Sequence, residues 1–101
     1  AGLFIIGGTL TPSGGSSLPG YHGAIAESKR QKINAWIRNS GAYDAVIVFD
    51  AALADPENPA LMRADLSADG LHPNAKGYQV MANTALFVIN NMLPNKRYET
   101  E

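Results

Sequence analysis

The chain alternates short apolar runs with stretches in which apolar side chains recur at helical spacing. Residues 2–7 and 44–50 each contain a nearly continuous apolar run, which predicts strands buried on both faces. Residues 27–40 and 73–91 space their apolar side chains with the helical period and predict two helices. The order strand, helix, strand, helix predicts an α/β fold with a parallel sheet.

The two predicted helices differ in how much apolar surface they present. In the first, one stripe contains Ile33, Trp36 and Ile37, and we expect Trp36 in the core between helix and sheet. Its basic side chains are expected on the solvent-exposed faces of that helix: Lys29, Arg30, Lys32 and Arg38. The second helix is expected to begin at Pro73, and its wide apolar surface indicates burial against a sheet and neighbouring helices.

The segments between these elements are rich in glycine, proline, serine and acidic residues. Residues 8–22 predict a flexible loop, and residues 51–72 predict a long connection with one helical turn at 59–63. So long a connection in a small domain is usually functional or mobile. Residues 93–101 predict a polar, frayed tail.

The two long loops are the expected place for chemistry. Ligands of open α/β sheets bind outside the carboxyl ends of the strands, and both loops leave from those ends. We therefore expect one neighbourhood to contain their polar and titratable side chains: Thr9, Thr11, His22, Asp50, Asp55, Asp65, Asp69 and His72.

Two strands are too few for the sheet that the pattern predicts. A pair of parallel strands cannot bury both of its faces and both of its edges. We therefore expect residues 1–101 to be part of a larger sheet and to have an exposed apolar edge. A missing N-terminal half would complete the sheet, or a second copy of the chain would pair with that edge to form a homo-oligomer.

Composition excludes several classes of protein. The 101 residues include no cysteine, which excludes disulfides, thiolate zinc sites and a cysteine nucleophile. The formal net charge of -1 leaves no basic surplus for binding nucleic acid. The apolar runs are far shorter than the ~20 residues that cross a bilayer. Residues 1–10 do not resemble a signal peptide. Any such peptide would lie upstream, and an extracytoplasmic location is compatible with the sequence.

The most distinctive group of candidate functional residues is the segment 69–74, Asp-Gly-Leu-His-Pro-Asn. Gly70 permits a tight reversal, so the Asp69 carboxylate can accept the Nδ1–H of His72 and leave Nε2 free as a proton acceptor. Two other interpretations stay open: a turn in which Asp69 caps free helix N–H groups, and a metal site. His22 is interpreted as a solvated loop residue. Asp50 either lines a site or caps the turn that follows it.

The segment 69–78 resembles the last conserved block of the SGNH hydrolases, also called the GDSL lipase/esterase family. The similarity extends to residues 5–12, 35–38 and 48–50, covers nearly the whole chain, and is closest to bacterial GDSL-type acylhydrolases. It implies a flavodoxin-like three-layer α/β/α fold with a five-stranded parallel sheet, of which this chain would carry the last two strands and helices.

The resemblance also implies ester hydrolysis by a Ser-His-Asp triad without metal or cofactor, with Asp69 as the acid and His72 as the base. The family's nucleophile lies in a Gly-Asp-Ser motif, and none of the serines here follows Gly-Asp: Ser13, Ser16, Ser17, Ser28, Ser40 and Ser67. The glycine and asparagine of the family's oxyanion hole are also absent. We therefore expect this chain to be inactive on esters alone. The alternative is a non-catalytic α/β module that binds a ligand or partner.

Overall fold

The computed structural model describes residues 2–92. In chain order, its elements are β1 (Ile6–Gly8), α1 (Ala24–Asn39), β2 (Ala45–Ile47), α2 (Phe49–Leu53), β3 (Ala54–Asp55), β4 (Asn58–Met62), a 3-10 turn (Ala64–Leu66) and α3 (Ala75–Met92). Among the described residues, no helix is both long enough and apolar enough to cross a membrane.

The two predicted strands pair with each other. β1 and β2 run parallel, with Gly7 opposite Val46, and α1 connects them. The prediction of an α/β fold with parallel pairing of these two runs is therefore confirmed for this pair. In the described part of the chain this sheet has two strands.

Both strands are shorter than the sequence predicts. The second was expected over residues 44–50, but the chain leaves the strand after Ile47, and Phe49 already begins α2. The reason is a contact with the residue that follows β1: the Thr9 hydroxyl accepts the backbone N–H of Asp50 at 3.0 Å, and the Thr9 N–H donates to the Ile47 carbonyl at 3.1 Å. This contact turns the backbone away from the sheet.

The connection that was expected to be irregular contains a hairpin. β3 and β4 pair antiparallel, so the helical turn predicted at 59–63 is wrong. The turn between them is 55–58, Asp-Pro-Glu-Asn, and the Asp55 carboxylate accepts the Glu57 N–H at 2.8 Å. Aspartate followed by proline is a common start for a β-turn, so the sequence did carry a signal for this hairpin.

The buried face of α1 is more polar than expected. The helix buries Arg30, Asn34 and Ile37, whereas Trp36 is 56% exposed and packs edge-on against Tyr43. The core position predicted for Trp36 and the solvated position predicted for Arg30 are both wrong. Arg30 tolerates burial because its guanidinium donates to the Glu27 carboxylate at 2.7 and 2.9 Å, which keeps the buried charge paired.

The core lies under α3. Leu53, Met62 and Leu66 are buried together, and Val80 and Met81 of α3 pack against them. α3 begins at Ala75 rather than at Pro73. Asn74 caps it, and its side-chain oxygen accepts the Gly77 N–H at 2.8 Å, a typical N-cap bond.

Large apolar side chains lie exposed on several elements. The segment before β1 leaves Leu3 81% exposed, and α3 leaves Phe87 70% exposed. The other side chains of this kind include Phe4, Ile5, Ile25, Ile33, Tyr78 and Leu86. α3 therefore buries only part of the wide apolar surface that its sequence presents.

Candidate active site

A single turn between the 3-10 turn and α3 brings Asp69 and His72 together. The Asp69 Oδ1 atom accepts the backbone N–H groups of Leu71 at 2.9 Å and of His72 at 2.8 Å. The Oδ2 atom lies 2.7 Å from Nδ1 of His72. The carboxylate therefore holds both the backbone and the ring of the histidine, as the spacing in the sequence predicts.

Two further side chains, those of Ser67 and Asn74, hold this turn by hydrogen bonds. The buried Ser67 hydroxyl accepts the Gly70 N–H at 2.9 Å and donates to the His72 carbonyl at 2.8 Å. The Asn74 side chain donates to the Asp65 carbonyl at 3.1 Å while it caps α3. Sequence analysis did not identify Ser67 or Asn74 as supporting residues. An asparagine directly before a helical pattern is nevertheless a recognisable cap signal.

The electrostatics of the pair fix the proton on one ring nitrogen. The hydrogen bond from the His72 ring, together with the N–H groups of His72 and Leu71, holds the pKa of Asp69 far below its usual range. An ionised carboxylate only accepts hydrogen bonds, so Nδ1 must carry the proton that lies between the two side chains. In the neutral ring, Nε2 is then the acceptor.

The His72 side chain is open to solvent. It is 68% exposed, and within residues 2–92 its Nε2 atom makes no hydrogen bond. No described serine hydroxyl is bonded to this atom either: Ser13 and Ser67 donate to backbone carbonyls, and Ser16 and Ser40 accept backbone N–H groups. Nε2 therefore faces the surface as an unused proton acceptor.

A cleft of about 300 Å³ lies beside this turn. Leu71, the residue between Gly70 and His72, contributes to its wall. The remaining lining comes from residues 10–21 and from α1: Leu10, Thr11, Ser13, Gly20, Tyr21, Ala26, Lys29, Arg30 and Ile33. The cleft and the Asp69–His72 pair therefore meet at Leu71.

The loop 8–22 is irregular, as predicted, but much of it is packed. Thr9, Pro12 and Ser16 are buried, and the Gly14 N–H donates to the Ala60 carbonyl of β4 at 2.8 Å. From α1, the fully buried Asn34 holds Leu10 by both backbone groups, at 2.7 Å from its N and 3.0 Å from its O. The part of the cleft wall that Leu10 forms is therefore held by hydrogen bonds from α1.

Asp50 belongs to a separate polar cluster behind that wall. Its carboxylate accepts the Thr9 hydroxyl at 2.7 Å, and it also accepts hydrogen bonds from Arg38 and Asn34. Burial raises the pKa of Asp50, but the hydrogen bonds from Arg38, Thr9 and the Ala51 N–H together outweigh it and hold that pKa below its ordinary value. Asp50 therefore connects β1, α1 and α2 as an ionised structural group.

The other residues of the expected neighbourhood are placed separately. The His22 ring is bonded to the Leu18 carbonyl at 3.0 Å within its own exposed loop, in line with a loop residue. Asp55 belongs to the hairpin turn. Asp65 pairs with Arg63 and Lys76 at 2.7 and 2.8 Å on the surface. Thr11 lines the same cleft as Leu71 of the His72 turn.

Metal-ligating side chains do not cluster in the described structure. Residues 2–92 contain no group of three or more histidines or carboxylates placed to hold an ion. The Asp69–His72 pair offers two ligands at most, because Asp65 is already occupied by Arg63 and Lys76.

Comparison with known proteins assigns the chain to a family. The model of the GDSL-like Lipase/Acylhydrolase family matches residues 2–80. No curated protein matches the chain. The matched range contains β1, α1 and β2 and extends through the Asp69–His72 turn into the first part of α3.

Proposed function

Because this chain belongs to the GDSL-like lipase/acylhydrolase family, we propose that it is the C-terminal part of a serine ester hydrolase. In this proposal Asp69 and His72 are two members of a Ser-His-Asp triad, and the nucleophilic serine lies on polypeptide outside residues 1–101. The observation that carries the proposal is the 2.7 Å bond between Asp69 Oδ2 and His72 Nδ1, with Nε2 free at the surface.

The proposed chemistry follows from that bond. Nε2 of His72 takes the proton of the serine hydroxyl while the serine oxygen bonds to the carbonyl carbon of the ester. The same nitrogen gives the proton to the leaving alcohol, and it then activates the water that releases the acid. Asp69 keeps the ring in the required tautomer and stabilises the imidazolium in each step.

The hydrogen-bond partners of the serines in this chain favour a nucleophilic serine on another stretch of polypeptide. Ser67 is the hydroxyl nearest to His72 in sequence, but it is bonded to the His72 carbonyl at 2.8 Å and to Asp69 Oδ1 at 3.2 Å, not to Nε2 of the ring. No serine of the chain follows Gly-Asp, the motif that the family resemblance implies for the nucleophile.

The exposed apolar side chains favour a partner polypeptide. Leu3 is 81% exposed in the segment leading to β1, and β1 pairs with β2 on one side only. The Cα radius of gyration is 15.3 Å, compared with ~13 Å for a compact domain of 100 residues. We propose that an N-terminal half with the missing strands covers this edge, and that pairing of two copies is the alternative.

A chimaera tests the complete proposal. The Gly-Asp-Ser-containing half of an active family member, joined to residue 1, is expected to hydrolyse p-nitrophenyl acetate. His72→Ala should lower kcat on the order of 10⁴-fold or more, because the remaining groups cannot take the serine proton. The control is His22→Ala, which should leave kcat unchanged. A folded chimaera with the same turnover with and without His72 would contradict the proposal.

The 101-residue chain by itself tests the second part of the proposal. It should hydrolyse the same ester no faster than its own His72→Ala variant, because a base without nucleophile or oxyanion donors lacks the main catalytic groups. Turnover that depends on His72 in the isolated chain would place the nucleophile within residues 1–101 instead.

A non-catalytic binding module is the second candidate function. Two observations favour it. The cleft beside Leu71 has apolar walls, and no described serine hydroxyl is bonded to the imidazole of His72. The chimaera separates the two functions, because a binding module would give no turnover that depends on His72.

A further inference from the structure

We infer that the cleft beside Leu71 selects esters that carry a negatively charged group on a short apolar chain, and that Lys29 is the residue that recognises this charge. The inference rests on the proposed function, because it assigns the ester carbonyl to the His72 side of the cleft and the charged end of the substrate to α1.

The charged side chains that line the cleft are all basic. Its lining contains two cations, Lys29 and Arg30, and no carboxylate. The Arg30 guanidinium is only 7% exposed and is already paired with Glu27 at 2.7 Å. Lys29 is exposed and forms no ion pair with any described residue. The uncompensated charge at the wall is therefore that of Lys29, and an anion complements it.

The rest of the wall defines the body of the ligand. Leu10, Tyr21, Ile33 and Leu71 supply apolar surface. The volume of about 300 Å³ lies at the lower end of the range for ligand pockets, ~300–1,000 Å³. A short chain suits this space, and a long lipid tail does not.

The arrangement also gives the ligand a direction. Leu71 directly precedes His72 in the chain, Lys29 belongs to α1, and both residues line the cleft. A ligand that contacts both therefore extends from the turn that carries His72 to α1. Asn34 and Arg30 hold the Leu10 backbone from α1, so the distance between the two ends is set by packed residues.

Two matched esters test the inference on the isolated 101-residue chain by NMR titration. Monomethyl adipate carries one ester and one carboxylate, and dimethyl adipate is its neutral counterpart. Both should perturb the amide signals of Leu10, Thr11 and Leu71. The charged ester should bind about two- to five-fold more tightly, the range of a solvent-accessible ion pair, and this preference should shrink in high salt.

Three substitutions complete the test. Lys29→Gln should abolish the preference for the charged ester, and Lys29→Glu should reverse it. Lys32→Gln, on the same helix but outside the cleft, should leave it unchanged. The inference would be overturned if the parent chain bound the two esters equally or bound neither of them. It would also be overturned if Lys29→Gln kept the preference, or if the signal shifts were confined to residues outside the cleft. Because the titration measures no turnover, its failure would not contradict the proposed triad, which the chimaera experiment tests separately.

Discussion

Gly70 and Gly15 are in backbone contact. A Cβ atom on Gly70 would lie 2.5 Å from the carbonyl carbon of Gly15, and Gly70 has a φ of 77°, in the left-handed region. The turn that carries Asp69 and His72 therefore meets the loop 8–22 at a position where only glycine fits. This contact connects the Asp–His pair to the wall of the cleft.

Gly70→Ala should cost about 3 kcal/mol of unfolding free energy. Roughly 1 kcal/mol comes from placing alanine at positive φ, and the remainder from the clash with Gly15. The matched control is Gly41→Ala, where φ is also 77° but a Cβ would meet no atom within 4 Å. Urea unfolding of both variants measures the difference, and equal losses would contradict the importance of the contact.

The Asp69–His72 contact was predictable because it is local. The two residues are three positions apart, the reversal needs one residue at positive φ, and the glycine at position 70 supplies it. The same holds for the parallel pairing of β1 with β2, because doubly buried apolar runs separated by a helix favour that arrangement. In both cases short stretches of sequence contain the physical cause.

The buried face of α1 was not predictable in this way. Arg30 is buried because its guanidinium contacts the carbonyls of Leu10 and Pro59 at 3.2 and 3.3 Å, and these lie 20 and 29 residues away in the chain. Helical periodicity ranks side chains by hydrophobicity and contains no information about distant carbonyls. It therefore placed Trp36 inside and Arg30 outside, the reverse of what the structure has.

Asn34→Ala should destabilise the fold by about 2–3 kcal/mol. The substitution removes two hydrogen bonds to Leu10 and leaves its N–H without a side-chain partner in a partly buried site, whereas its carbonyl keeps only the bond from Arg30. Asn83→Ala is the matched control, because Asn83 is exposed and only accepts a hydrogen bond from Gln79 on the same helix. Urea unfolding should place the control within about 0.5 kcal/mol of the parent chain. Similar losses in both variants would mean that Asn34 does not hold the cleft wall.

The surface group formed by Asp65 with Arg63 and Lys76 gives stability a dependence on acidic pH. Hydrogen bonds from Arg63 and then from Lys76 lower the pKa of Asp65 from 3.8 to about 2. A carboxyl group with a lower pKa in the folded chain binds its proton more weakly there than in the unfolded chain. Its contribution to stability is therefore fully present above pH 3.8 and is lost as the pH falls through about 2.

Asp65→Asn should remove this dependence. Above pH 5 the variant is expected to be less stable than the parent chain, and the difference between them should shrink steadily as the pH falls and vanish below about 2. Urea midpoints taken at successive pH values measure the difference. Because the three side chains are partly exposed, added salt should weaken the contribution of the carboxylate, and the difference above pH 5 should then be smaller. A difference that stays constant from pH 5 to 2, or that grows as the pH falls, would show that the carboxylate of Asp65 is not stabilised by its two cations.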